Sequence, residues 1–233
     1  AGAAGPRGRG FETVTYMKDG GRGCRDGAGH GGRVQSGGVQ WRTAGRGLSH
    51  SEMPEQEEGV MEGFQLWLNL PGSDKMCPPW YRDIQSAEIA QFTSQEDVVV
   101  RVIAGNSHGV AGAVQREHTQ PLYLDLHFPP GPAQFQQALP AGHNAFLYVY
   151  RGLLEVLDAS GQPTPVSLRK MALLGNDGDV VTARAAAHSP DATPPLLLAA
   201  HPLPDPIPRY APLVVHPPPQ LLPRFASPPP ARP

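Results

Sequence analysis

The residues with the clearest chemical potential in this sequence are a histidine and a glutamate two positions apart, His50 and Glu52. On a β-strand, residues i and i+2 lie on the same face, so an imidazole nitrogen and a carboxylate oxygen would be presented together. Such donors bind divalent transition metals, including iron. The alternative is a solvent-exposed pair in a loop, because a motif as short as H-x-E also occurs by chance.

The segments around this pair predict short β-strands separated by turns rich in Gly, Pro and Asp. Phe64–Leu70 shows the clearest period-two alternation, and Phe11–Met17 alternates before Asp19-Gly20, a hairpin signal. One short helical turn is predicted within Ser86–Phe92. Many short strands favour an all-β barrel or sandwich. Further strands are predicted at Val39–Trp41, Ser49–Met53, Val98–Ile103, Leu122–Phe128, Ala145–Tyr150, Leu153–Leu157, Met171–Leu174, Val180–Ala183 and Leu196–Ala200.

Composition excludes several classes of function. A formal net charge of −2 over 233 residues gives no general affinity for nucleic acid, which requires a basic face. The sequence contains no apolar run long enough to span a membrane, so we expect no membrane association. The two cysteines, Cys24 and Cys77, form neither a CxxC pair nor a disulfide framework, which favours a reducing compartment. We therefore expect a cytoplasmic protein, with the nucleus as an alternative in a eukaryote.

Several longer segments have distinctive sequences: RGFETVTY (9–16), VQWRTAGRGLSHSEMP (39–54), GFQLWLNLP (63–71), DKMCPPWYRDI (74–84), AGHNAFLYVYRG (141–152) and LLLAAHPLPDPIPRYAPLVV (196–215). Together they resemble the pirin family of double-β-barrel cupins. The resemblance implies an all-β fold of two cupin (double-stranded β-helix, jelly-roll) barrels.

The resemblance also implies domain boundaries. Residues 1–8 are expected to be an irregular Gly/Arg-rich start, and residues 9–115 an N-terminal cupin barrel that lacks its first strands. The C-terminal cupin barrel is expected at 116–215. Residues 216–233 include eight prolines and are expected to form a proline-rich tail.

The family resemblance assigns an iron site to the N-terminal barrel. Its ligands in the family are the two His of an H-P-H-R-G-F-E motif and the His and Glu of an H-S-E motif, which here match His50 and Glu52. The first two positions are occupied by Pro6 and Gly8, and neither has a side chain that can bind a metal. We therefore expect a degenerate or truncated N-terminus, with doubtful occupancy by Fe(II) or another divalent metal.

Other residues could complete such a site. Glu12 lies four residues after position 8, and Cys24 and His30 lie in a Gly-rich stretch that could fold back. Cys24 stands where the family has a His. The alternatives are a Glu12 that pairs locally and a Cys24 that is a small buried side chain. His143, at the start of the C-terminal barrel's corresponding motif, stands alone, so no second metal is expected.

The resemblance implies two functions from different classes. One is an iron-dependent quercetin 2,3-dioxygenase, in which a flavonol-type molecule is the substrate and Glu52 is the catalytic base beside the metal. The other is a non-catalytic binding module, a transcriptional or enzyme co-regulator that docks onto a protein partner. The replacement of two ligand positions by Pro6 and Gly8 favours an impaired enzyme or the binding module.

Overall fold

The structure, a computed structural model, describes residues 7–26, 31–54, 59–187, 189, 192–205, 209–210 and 213–214. At positions 7, 24–26, 48–54, 209–210 and 213–214 it describes the backbone. The regular secondary structure of the described chain is almost entirely β-strand, and its one helical segment is a 3₁₀ turn at Ser86–Glu88. The all-β prediction is confirmed. Within these residues no helix has the length and apolar character that crossing a membrane requires.

The chain divides into two compact units. The first comprises residues 1–87 together with 203–233, and the second comprises residues 88–202. The domain ranges expected from the sequence, 9–115 and 116–215, stay predictions.

The first unit contains two four-stranded antiparallel sheets and a small two-stranded pair. One sheet has the strand order β7-β2-β5-β8, the other has the order β1-β6-β3-β4, and β21 pairs with β22. The strands of this unit are β1 (Arg7–Gly8), β2 (Phe11–Asp19), β3 (Arg22–Asp26), β4 (Gly31–Val34), β5 (Val39–Thr43), β6 (Leu48–Pro54), β7 (Glu62–Asn69), β8 (Trp80–Ile84), β21 (Arg209–Tyr210) and β22 (Leu213–Val214).

The second unit contains a six-stranded sheet of order β18-β15-β20-β13-β10-β9 and a four-stranded sheet of order β14-β19-β16-β17. A small hairpin, β11-β12, completes it. Its strands are β9 (Ala90–Thr93), β10 (Val99–Ala104), β11 (Asn106–Ser107), β12 (Val110–Ala111), β13 (Leu122–His127), β14 (Gln134–Ala138), β15 (Asn144–Val149), β16 (Leu154–Leu157), β17 (Pro163–Val166), β18 (Met171–Leu173), β19 (Val180–Ala185) and β20 (Pro195–Ala200).

The core of the second unit follows from strand alternation. Leu122, Leu124 and Leu126 of β13 belong to one buried apolar cluster, to which β10, β15, β19 and β20 also contribute. Because residues i and i+2 share a face, one apolar residue in two is enough to line this interior. Burial of these aliphatic side chains is the main stabilising contribution, at about 25 cal/mol per Å² of apolar area.

The hairpin expected after β2 does not form. Asp19 and Gly20 do make a turn, in which the Gly20 N–H donates to Asp19 Oδ1 at 2.9 Å and Gly20 has φ +81°. However, β2 pairs with β5 and β7, whereas β3 pairs with β4 and β6. The prediction was wrong because an Asp-Gly turn specifies a reversal of the chain but not its pairing partner. β2 is buried on both faces and takes β5 and β7 as neighbours.

Candidate functional site

The predicted metal ligands His50 and Glu52 lie on β6, the strand between β1 and β3. Their side chains lie outside the described residues, so their role as ligands stays a prediction. The backbone register is described: His50 is opposite Asp26, and Glu52 is opposite Cys24. Directly opposed residues on antiparallel strands share a sheet face. Four positions with metal-binding residue types therefore adjoin one another on a single face of the β3–β6 pair.

Two glycines on the same sheet show what this face is turned towards. Gly8 is opposite Leu48, and Gly32 is opposite Cys24, so both share the face of positions 50 and 52. A Cβ atom built on Gly8 would lie 3.0 Å from Cζ of Phe11, and one built on Gly32 would collide with the carboxylate of Asp83. Phe11 and Asp83 belong to the other four-stranded sheet. Positions 50 and 52 thus lie on the face directed at that second sheet.

The opposing face of the second sheet is polar and buried. The register of β2, β5 and β8 places four polar residues on the same sheet face as Phe11 and Asp83: Thr13, Thr15, Gln40 and Arg42. All four are buried, and Arg42 is only 5% exposed. The Gln40 side-chain amide donates to Asp83 Oδ1 at 2.5 Å. Buried polar and charged groups are costly unless they are hydrogen-bonded or serve a ligand. The space between the two sheets is therefore lined by hydrogen-bonding groups rather than by a purely apolar core.

Aromatic rings flank this polar lining. Trp67 and Tyr81 lie at the two ends of the cross-strand row that contains Thr13 and Arg42. Trp67 stacks on Phe11 with ring centroids 4.4 Å apart and is 49% exposed, and Tyr81 is also exposed. Aromatic faces beside hydrogen-bonding groups form the kind of surface that holds a flat, polar molecule.

Glu12 does not join the positions around His50, which corrects the idea that it could serve as a substitute ligand. Its carboxylate accepts hydrogen bonds from Trp41 Nε1 at 3.0 Å and from Thr43 Oγ1 at 2.6 Å, on the other face of β2. The chain bends at Gly10, with φ +80°, and passes there from one sheet to the other. Counting four residues from position 8 therefore does not preserve the face. The partners of Glu12 lie on the neighbouring strand β5 and are distant in the sequence, so the pairing is within the sheet rather than local.

A buried lysine contacts the bend at Gly10, where the chain passes from one sheet to the other. Lys75 Nζ donates to the Gly10 carbonyl oxygen at 2.9 Å and to Asn69 Oδ1. Burial lowers the pKa of Lys75 from 10.5 to about 8, and the charge of Asp205 partly opposes the shift. Asp205 itself accepts a hydrogen bond from the Gly72 N–H at 2.8 Å. The ammonium group of Lys75 thus stabilises the turn between β1 and β2 through its hydrogen bonds to Gly10 and Asn69.

His143 and His127 of the second unit contact side chains of the same unit. His143 is buried next to His201, with ring centroids 5.6 Å apart, and both burial and that neighbour lower its pKa. It lines a cavity of about 230 Å³ together with Arg116 and Leu139. His127 Nε2 lies 2.9 Å from Oδ2 of the fully buried Asp125. Among residues whose side chains are described, no three His, Cys, Asp or Glu come together as a metal site.

Comparison with known proteins identifies the family. Residues 5–68 match the family model Pirin, and residues 123–222 match the model of the pirin C-terminal cupin domain. A Pseudomonas aeruginosa protein, provisionally named a quercetin 2,3-dioxygenase, is 43% identical over 213 residues, which span 89% of this chain and 72% of that protein. The chain belongs to the pirin family.

A second relative and a solved structure support the same family assignment. Human pirin is 37% identical over 209 residues, covering 89% of this chain and 69% of the human protein. A crystal structure of quercetin 2,3-dioxygenase from Acinetobacter baumannii superposes with a TM-score of 0.86 at 29% identity, covering 97% of this pirin and 76% of that chain. The predicted fold of two cupin domains is confirmed.

The four-ligand iron site implied by the family resemblance does not fit this pirin. Gly8 has no side-chain donor, and a Cβ atom added at this position would meet the Phe11 ring at 3.0 Å, so the ring already occupies the adjoining space. Pro6, at the other missing position, lies outside the described residues and offers no donor atom in its side chain. Of the four positions that the resemblance implies, only His50 and Glu52 keep a side chain able to bind a metal.

The polar residues between the two sheets of the first unit were not predicted from the sequence. Arg42 stands in the predicted strand segment VQWRT next to Trp41, where a charged residue within a strand signals a specialised buried position. Lys75 had no comparable signal, because it lies in a turn where lysines are usually exposed. The pairing of Cys24 with Glu52 also went unseen, since Gly-rich sequence gives no register information.

Proposed function

We propose that this pirin is a cupin of the quercetin 2,3-dioxygenase type that binds a flavonol-like molecule in its N-terminal barrel. The names of the Pseudomonas and Acinetobacter relatives support this substrate class. In the proposal His50 and Glu52 are the remaining metal ligands, and Glu52 is the base that accepts a proton from a substrate hydroxyl. Iron or another divalent metal is the expected cofactor, bound weakly because two family ligands are replaced.

The observation that carries the proposal is the polar lining flanked by aromatic rings. A flavonol is planar, with several hydroxyl groups and a carbonyl. Thr13, Thr15 and Gln40 supply hydrogen-bonding groups, Arg42 supplies a positive charge for a phenolate, and Trp67 supplies an aromatic face. Sites of this kind combine apolar walls with a few placed polar groups.

Metal content and flavonol consumption test the proposal together. We expect the purified chain to contain less than one iron per molecule and to consume quercetin slowly, because few ligands remain. Replacing both Pro6→His and Gly8→His should raise iron content and turnover, provided that the Phe11 ring moves by a few tenths of an ångström. Full iron occupancy with rapid turnover in the unaltered chain would show that the metal site is not impaired.

Arg42 provides a test of binding that does not require catalysis. Arg42→Met should weaken quercetin binding about tenfold or more, because a hydrogen bond to a charged group contributes about 1.5–3 kcal/mol. Quenching of tryptophan fluorescence would report binding, and circular dichroism would verify folding. Arg46→Met, at an exposed position, is the matched control and should bind like the unaltered chain. Equal affinity in the two variants would place the ligand elsewhere.

A non-catalytic protein-binding role is the second candidate. The observation that favours it is the loss of side-chain donors at positions 6 and 8. A pirin that keeps its fold without a complete metal site could still act as a transcriptional or enzyme co-regulator through its surface, in the cytoplasm or in the nucleus of a eukaryote. Absence of both quercetin binding and turnover, in a correctly folded preparation, would support this role over the enzyme.

A further inference from the structure

We propose that a cavity in the second unit is a binding site for a small organic carboxylate. The cavity has a volume of about 230 Å³, and all of its lining residues belong to the second unit. The inference goes beyond the proposed function, because the flavonol-like molecule is assigned to residues of the first unit.

The cavity lies at one end of the second unit, where strands of both sheets terminate. Leu122, at the start of β13, is opposite Ala199 near the end of β20. Asn144, at the start of β15, is opposite Ala200 at the end of β20. Ala138 ends β14 of the other sheet and also lines the cavity. The mouth of a β-barrel is one of the places where proteins bind small molecules.

The lining combines an apolar side with a polar side. Leu122 and Leu139 are buried and belong to the apolar core, so core side chains form part of the wall. Among the lining residues of this part of the structure, Arg116 carries a charge at neutral pH and none is acidic. A cation beside an apolar wall favours a ligand with a negative group on an apolar body.

Arg116 and His143 supply hydrogen-bond donors to the cavity. A guanidinium has five N–H donors in a fork that matches a carboxylate, so Arg116 can bind an anion while it keeps its contact within the protein. Burial and the neighbouring His201 lower the pKa of His143, so its ring is uncharged at neutral pH. An uncharged imidazole still donates through one nitrogen, and a carboxylate oxygen accepts such a bond.

Backbone hydrogen bonds hold the polar side of the cavity in place. The Gln120 N–H donates to the Arg116 carbonyl oxygen at 3.0 Å, and the His201 N–H donates to the Thr119 carbonyl oxygen at 2.9 Å. The segment 116–120 is therefore closed into a turn and joined to the end of β20. Gln120 has φ +42°, in the left-handed region that a residue with a Cβ atom seldom adopts. Such strained positions are concentrated at ligand sites.

The size of the cavity limits the ligand. Sites for drug-sized molecules have volumes of about 300–1,000 Å³, so this cavity fits a smaller molecule. Gln115 and Gln120 line it and are exposed, so a ligand can enter from solvent. Inorganic phosphate would place a strongly hydrated ion against Leu122 and Leu139, which is unfavourable. Benzoate, a carboxylate on an apolar ring, satisfies both sides of the cavity.

Titration calorimetry of the full chain with benzoate tests the inference. We expect saturable binding, and benzamide, which has nearly the same shape but no charge, should bind at least tenfold more weakly. Arg116→Met should weaken benzoate binding tenfold or more and remove the preference for benzoate over benzamide. Arg169→Met, at an exposed position of the same unit, is the matched control and should bind benzoate like the unaltered chain.

Ala138→Leu keeps the test decisive if Arg116→Met does not fold, which circular dichroism would reveal. Ala138 is exposed at the end of β14, so a larger side chain there should fill part of the cavity without overpacking the core. We expect this variant to weaken the binding of benzoate and of benzamide alike.

A folded chain that binds no benzoate at millimolar concentration would overturn the inference. Equal affinities for benzoate and benzamide would do the same, as would unchanged benzoate affinity in a folded Arg116→Met or Ala138→Leu variant. Displacement of benzoate by equimolar inorganic phosphate would contradict the organic ligand class. Loss of benzoate binding in Arg42→Met but not in Arg116→Met would place the carboxylate in the first unit instead.

Discussion

At the scale of single residues, Glu12 shows how one buried carboxylate is stabilised. Its two oxygens accept from Trp41 Nε1 and Thr43 Oγ1. Thr43→Val keeps the shape and removes one donor. We expect the free energy of unfolding to fall by about 1.5–3 kcal/mol, because a hydrogen bond to a charged group in the interior is lost. Urea denaturation followed by circular dichroism measures this change.

Thr93→Val is the control for this experiment. Thr93 also lies on a strand, β9, but is exposed, so the same loss of a hydroxyl should change stability by less than about 0.5 kcal/mol. Similar small effects in the two variants would mean that the Thr43 hydroxyl contributes little to holding Glu12.

The candidate site was only partly predictable from the sequence. The H-x-E spacing correctly placed His50 and Glu52 on a strand, because period-two alternation is a local property. The neighbours of these residues were not predictable, since Cys24 and Asp26 come from a strand in Gly-rich sequence whose pairing is decided by tertiary contacts. The sheet face on which Glu12 lies was not predictable either, because a bend at one residue, Gly10, changes the face that follows.

At the scale of elements, the strongly alternating strands were predictable and the polar strands were not. Phe11–Asp19, Glu62–Asn69 and Leu122–His127 all lie where the apolar pattern predicted strands. β3 and β4, with sequences RGCRD and GGRV, show no apolar period. β3 forms a strand because β6 supplies an adjoining row of backbone donors and acceptors, and β3 in turn supplies such a row to β4, which sequence patterns do not report.

Lys75 makes the turn between β1 and β2 sensitive to pH. Its pKa is lowered from 10.5 to about 8 in the fold, so between these pH values the unfolded chain binds more protons than the folded chain. The free energy of unfolding therefore rises as pH increases from about 8 to 10.5, by about 3 kcal/mol at most. Lys75→Met should remove this rise, as urea denaturation at several pH values would show.

Lys75→Met should also lower stability at pH 7, because the Gly10 carbonyl and Asn69 lose a donor. Lys170→Met is the control, since Lys170 is exposed, and it should keep the rise between pH 8 and 10.5. An unchanged pH dependence in Lys75→Met would show that Lys75 is solvated rather than buried.

At the scale of the whole molecule, sheet edges control association between copies. The edge strand β17 carries Pro163 and Pro165, which cannot donate backbone hydrogen bonds and so block pairing with another chain. The edge strand β18 has the sequence MAL, with neither proline nor charge. Within the described part of the chain it pairs only with β15. Exposed Met171 and Leu173 add apolar surface to this edge.

Leu173→Lys should therefore reduce self-association. Leu173 is 76% exposed, so the substitution should leave folding intact while placing a charge on the edge. We expect a smaller concentration-dependent increase in apparent mass by light scattering, above all near the isoelectric point of about 6.5, where net charge is smallest. Val60→Lys, 71% exposed and outside any strand, is the control. Equal effects from both variants would implicate net charge rather than the β18 edge.

The burial of Lys75 has a practical consequence for chemical labelling. With a pKa of about 8, part of its amine is uncharged near neutrality, and this is the form that attacks acylating reagents. The same burial keeps reagents away while the turn at Gly10 is closed. Acylation of Lys75, followed by mass spectrometry, would therefore report how often that turn opens, with the exposed Lys170 as an internal reference.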